Sequence, residues 1–179
     1  MGFSEQEKIA EYEYLRDFLD EVEIAAEVLP KGKVAEESAL LVCLPTVEDI
    51  MDGENVDPEK MHVASAYLLD LDDTEMRLAK YLLLYAQIQV DISEMNTAEV
   101  LLLLNELNRT IRVGHYFLSK VEDVAVPMVQ YRATVMAPEG EHFDGAIVAD
   151  TILEMGVGYD IVKEALMQAN EECKRREGK

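Results

Sequence analysis

The chain has 179 residues, 37 of them Asp or Glu against 16 Lys or Arg, for a formal charge of -21. So large an acidic excess repels a nucleic-acid backbone or an anionic membrane at long range, which removes both from the expected partners. The apolar fraction of 49% is too high for a disordered acidic chain, so the charge must decorate a packed body.

Ser4 and Glu7 have the S-x-x-E spacing of a capping box and start a predicted helix that runs to about Leu29. Its Tyr12, Leu15, Leu19, Val22, Ala26 and Leu29 recur at three- and four-residue steps, and Pro30 and Gly32 follow as its stop. Ala39 to Leu44 is an apolar run closed by Pro45, short enough for a buried strand. His62 to Leu71 and Lys80 to Ile92 flank the polar Asp72 to Glu75 and predict an antiparallel hairpin. In the second of these runs Ala86, Ile88, Val90 and Ile92 alternate with Gln87, Gln89 and Asp91.

Asn96, with Glu99 at the reciprocal position, caps a second helix whose apolar girth is wider than one stripe, and Gly114 is its expected stop. His115 to Ser119 and Val126 to Met136 are two further strand candidates, with Pro127 expected at a strand start or edge. From about Asp144, Val148, Ile152, Met155, Tyr159, Val162, Leu166, Ala169 and Cys173 alternate four- and three-residue steps, the spacing of a helical seam. Gly156 and Gly158 interrupt that seam and predict a kink or a close contact. The order is therefore α-β-β-β-α-β-β-α, and one domain over residues 1–179 accommodates it.

Candidate chemistry is sparse. Asp70-Leu71-Asp72-Asp73-Thr74 carries the D-x-D-x-T pattern and resembles the first motif of haloacid-dehalogenase-type phosphatases, in which an aspartate attacks phosphorus beside a magnesium ion. The motif lies deep in the chain, no suitable acidic pair follows a lysine, and its flanks alternate like a hairpin, so a charged turn is expected and the phosphatase is the alternative. The acidic stretch from Glu48 to Glu59 lacks the spacing of a calcium loop. His62, His115 and His142 make no zinc motif, and Cys43 and Cys173 lack CxxC spacing and read as unpaired structural thiols. No cofactor, no metal site and no catalytic residue is expected.

The longest apolar runs are far shorter than the ~20 residues of a spanning helix. The acidic residues 1–14 do not read as a secretory leader, so the expected compartment is the cytoplasm.

Leu103-Leu104-Asn105-Glu106-Leu107-Asn108-Arg109, then Gly114-His115-Tyr116-Phe117-Leu118 and Val129-Gln130-Tyr131-Arg132, resemble the YbjN family, whose fold is type III secretion chaperone-like. The match covers roughly Asn96 to Ala169. It implies an α+β domain, usually dimeric, with helices on a twisted antiparallel sheet. It also implies a non-catalytic role in binding other proteins, chaperone-like or regulatory. The wide apolar girth of the second helix makes Leu101, Leu103, Leu104, Leu107 and Ile111 the candidate dimer or partner interface, and a homodimer is expected.

Overall fold

The computed structural model describes residues 2–32, 36–45, 62–70, 78–119 and 127–177. Its elements are α1 (Glu5–Glu21), β1 (Ala26–Leu29), β2 (Ala39–Leu44), β3 (His62–Leu68), β4 (Ala79–Gln87), α2 (Thr97–Asn108), β5 (His115–Ser119), β6 (Met128–Pro138) and α3 (Gly145–Glu177). The class is α+β, with three helices and one six-stranded antiparallel sheet among the described residues.

The expected capping box is present: Glu7 N–H donates to Ser4 Oγ at 3.3 Å, and Ser4 N–H donates to Glu7 Oε2 at 2.8 Å. The helix does not reach Leu29. It stops at Glu21, because Ile24 N–H reaches back to the Leu19 carbonyl and Glu23 N–H to that of Asp20, the two bonds of a Schellman motif. Glu23 supplies the left-handed residue at φ 62. That position is usually glycine, so nothing in the sequence flagged it. Ile24 and Leu19 are both buried, which adds the hydrophobic contact that accompanies this cap. Ala26 and Leu29, expected on the helical stripe, instead form β1, and the sheet gains a sixth strand.

Sheet order is β1-β2-β3-β4-β6-β5. The predicted hairpin exists as the β3–β4 pair, with Ala66 opposite Leu84, although β3 ends at Leu68 and β4 at Gln87. β6 pairs along all of β4 and places β5 at the edge, and Pro127 directly precedes β6 as expected. Alternation sorts each strand into two faces. Leu40, Val42, Leu82, Leu84, Tyr131 and Ala133 point inward and are buried. α1 packs on the β1–β2 side of that inner face, and α3 packs on β2 and β6.

The seam of α3 is the core it was expected to be: Val148, Ile152, Met155, Tyr159, Val162 and Leu166 are buried, while Ala169 and Cys173 are half-buried. Asp144 caps the helix, its Oδ1 accepting from the Ala146 and Ile147 amides. The interrupting glycines mark close contacts. A Cβ on Gly156 would run into the Pro45 carbonyl oxygen, and one on Gly158 would lie 2.8 Å from the Tyr116 hydroxyl.

α2 ends at Asn108 and not at Gly114. Its last turn is closed by Arg109 N–H, bonded to Glu106 and Leu107, and Gly114 (φ 69) instead leads into β5, where a Cβ would strike the Tyr131 side chain. Among the described residues no helix is long and apolar enough to cross a membrane.

Candidate functional site

α2 begins on the expected Asn96–Glu99 capping box and packs against β5 and α3. Its attachment is partly polar. The Asn108 amide donates to the Tyr116 carbonyl at 2.9 Å and accepts from the Tyr116 amide at 2.8 Å, so one side chain takes the place of a strand partner at the sheet edge. Tyr131 donates its hydroxyl to the Val113 carbonyl, which holds the loop between α2 and β5. Burial raises the Tyr131 and Tyr116 hydroxyls well above the ordinary tyrosine range, and the buried Tyr116 hydroxyl has no hydrogen-bond partner among the described residues.

The five interface candidates divide into three groups. Leu104 is 2% exposed and packs into its own core, so it is not available to a partner. Leu103, Leu107 and Ile111 are half-buried against that core. Leu101 is 49% exposed, and Leu102, absent from the sequence candidates, is 68% exposed. Val100 and Leu104 turn inward while Leu101 and Leu102 form an apolar ridge facing outward.

Beside the α2 terminus, Leu107, Ile111, Val157 and Ile161 line a groove of about 250 Å³. Arg112 and Glu154 pair across its rim at 2.8 Å. Exposed Glu99 and Glu106 flank the leucine ridge on the same helix.

Asp70 can be located, whereas Asp72, Asp73 and Thr74 of the D-x-D-x-T string lie outside the described residues, as does the Glu48–Glu59 stretch. The Asp70 carboxylate accepts the Phe3 amide at 3.0 Å and the Lys8 ammonium at 2.5 Å, tying the N-terminal helix to the end of β3. Burial works to lower the Lys8 pKa, but the bond to Asp70 and its charge outweigh burial and raise it. Among the described residues no group of three His, Cys, Asp or Glu is placed to hold a metal ion.

A second polar cluster went unrecognised in the sequence. Glu11 Oε2 accepts from Lys80 Nζ at 2.8 Å and lies 3.0 Å from His142 Nδ1, while Oε1 accepts the Phe143 amide at 2.9 Å. The Glu11 and Lys80 side chains are 7% and 8% exposed. His142 stacks on Tyr14 at 4.3 Å, and Lys80 Nζ sits 4.7 Å from the centre of the Phe143 ring. One carboxylate thus joins α1, β4 and the loop before α3, with both its oxygens bonded. The available signal was the phase of β4: Leu82, Leu84 and Ala86 point inward, and Lys80 shares their parity.

His62 stacks on Tyr159 at 3.8 Å, beside Asp160, and His115 lies near Phe117, so the three histidines belong to separate regions. Cys43 and Cys173 are free thiols, and burial pushes the Cys43 pKa up, which keeps it in the unreactive thiol form.

No family model matches this chain, and no curated protein matches it. Among solved structures, the chain is similar to that of YbjN from E. coli, described as a candidate transcription regulator. The two share 14% sequence identity over 90% of this chain and 92% of that chain, with a TM-score of 0.42.

Proposed function

We propose that the protein is a non-catalytic protein-binding module, chaperone-like or regulatory, whose partner docks on the outer side of α2. The observation that carries this reading is the exposure of Leu101 and Leu102 on a helix whose inner residues, Val100 and Leu104, already satisfy the core. Glutamates flank the ridge, and the whole body carries a charge of -21. Apolar anchors inside an acidic surround complement a basic amphipathic segment, with charge setting the encounter rate and the leucines the residence time.

Affinity capture from the source cell, with mass spectrometry, compares wild type with a Leu101→Asp, Leu102→Asp double variant whose circular dichroism is unchanged. Partners held by the wild type and lost by the variant are expected, and identical sets would refute this docking face. If the purified protein hydrolysed a phosphomonoester with magnesium and Asp70→Asn abolished it, the binding-module reading itself would fall.

A further inference from the structure

The C-terminal half of α3 carries a second stripe beside its core seam. Lys163, Met167, Asn170 and Lys174 recur at four-, three- and four-residue steps and so share one side of the helix. Across from them run Gln89, Val90 and Asp91, which follow β4, and the two walls bound an open cleft of about 330 Å³. That volume lies at the lower end of the range for small-molecule sites.

The β4 wall is fixed by the fold itself. The Gln89 amide donates to the Tyr159 hydroxyl at 2.8 Å, and that hydroxyl donates to the Gln87 carbonyl at 3.2 Å, so a core tyrosine of α3 pins the strand exit. The Ile88 amide donates to the Val129 carbonyl at 2.9 Å, and Asp91 Oδ1 accepts the Ser93 amide at 2.9 Å.

Two polar groups in this cleft are left over. Asn170 is 6% exposed, and its buried Oδ1 has no hydrogen-bond partner among the described residues. Such an orphaned acceptor costs stability that an apolar side chain would not. Lys163 is half-buried and makes no hydrogen bond or ion pair among the described residues, in a chain with 37 carboxylates. The two acids that line the cleft have other partners: Asp91 lies 3.9 Å from Lys174, and Glu171 3.5 Å from Arg175.

We infer that this cleft binds a small zwitterion of amino-acid type, with its carboxylate on Lys163, its ammonium on Asn170 Oδ1 and an apolar side chain against Val90 and Met167. The free ammonium of Lys163 calls for an anionic group, and the orphaned oxygen calls for an N–H donor. A plain anion satisfies Lys163 alone and must enter against a charge of -21. A polyamine is drawn in by that charge but leaves Lys163 unpaired and repelled. A ligand with both charges answers both groups and, being neutral overall, meets no long-range barrier. The last torsion of an asparagine is soft, so the Asn170 oxygen can turn toward the ligand.

Titration of each standard amino acid, at millimolar concentration, into the isotope-labelled full-length protein tests the proposal by amide NMR. Amino acids with apolar side chains are expected to shift Gln89 to Asp91 and the α3 residues Lys163 to Lys174, and the same acids lacking the amino group are not. Lys163→Met keeps the stem and removes the charge, and is expected to weaken binding by about tenfold or more. Asn170→Leu removes the acceptor at similar volume. It is expected to weaken binding by about tenfold or more and to raise the urea midpoint, because the orphaned group is gone.

The inference is overturned if no amino acid binds, if the shifts fall outside the cleft, or if the deaminated acids bind equally well. Wild-type affinity in either variant also refutes it, as does a urea midpoint lowered by Asn170→Leu, the mark of an amide with a purely structural role. No described residue of α2 lines the cleft, so none of these results bears on capture of a protein by that helix.

Discussion

Glu11 shows how a buried charge can be structural. Its two oxygens take Lys80, the Phe143 amide and His142, and removing it strands the Lys80 ammonium in a site only 8% exposed. Glu11→Ala is expected to cost about 3–5 kcal/mol in urea unfolding, and the Glu11→Met, Lys80→Met pair less than that single change, because a missing pair costs less than an unpaired charge. Tyrosines set the alkaline limit. Burial raises Tyr12 from 10.0 to about 12, so the unfolded chain ionises first, and this contribution is whole below pH 10 and lost as pH climbs toward 12. Burial raises Tyr116, Tyr131 and Tyr159 as well. The urea midpoint should therefore fall steeply from about pH 10 upward. Tyr12→Phe should flatten part of that fall while costing about 1–3 kcal/mol at neutral pH, because the Leu68 amide loses the hydroxyl it donates to at 2.8 Å. Of these residues the sequence revealed Tyr12 through its helical stripe. It hid the Glu11 cluster, since three groups so far apart in the chain meet only after α1 and β4 pack.

At the scale of elements, caps with a side-chain signature were readable, and the backbone cap was not. Ser4–Glu7 and Asn96–Glu99 declare themselves by residue type at a fixed spacing. The α1 terminus depends on Glu23 adopting φ 62, a conformation any sequence-based rule assigns to glycine first, and the three-four spacing of Val22, Ala26 and Leu29 concealed a turn and a strand. The cap and the α3 seam give opposite predictions for two small substitutions. Glu23→Gly should raise stability by up to about 1 kcal/mol, by relieving a left-handed side chain. Gly156→Ala should gain ~1 kcal/mol on helix propensity alone, but its methyl meets the Pro45 carbonyl, so a net loss of about 1–3 kcal/mol is expected. Denaturant midpoints of the two variants, moving in opposite directions, check both.

For the whole molecule, element order was enough to indicate an antiparallel sheet among helices. The pairing was not legible. Alternation tells which face a residue occupies and never which strand lies beside it, so β6 between β4 and β5 could not be foreseen. Nor could the strands on which the helices settle, α1 on β1 and β2 and α3 on β2 and β6 among the described residues. The cover that does exist is assembled from distant pieces of chain: α3, which closes the inner face over β2 and β6, is made after every strand. At about 5–20 residues per second on the ribosome, the 33 residues of α3 emerge over roughly 2 to 7 s. Until α3 docks, the inner-face residues of β2 and β6 that it covers stay open to solvent. Aggregation during synthesis is therefore expected to be greatest over that interval, and to subside once α3 docks with Gly156 against Pro45.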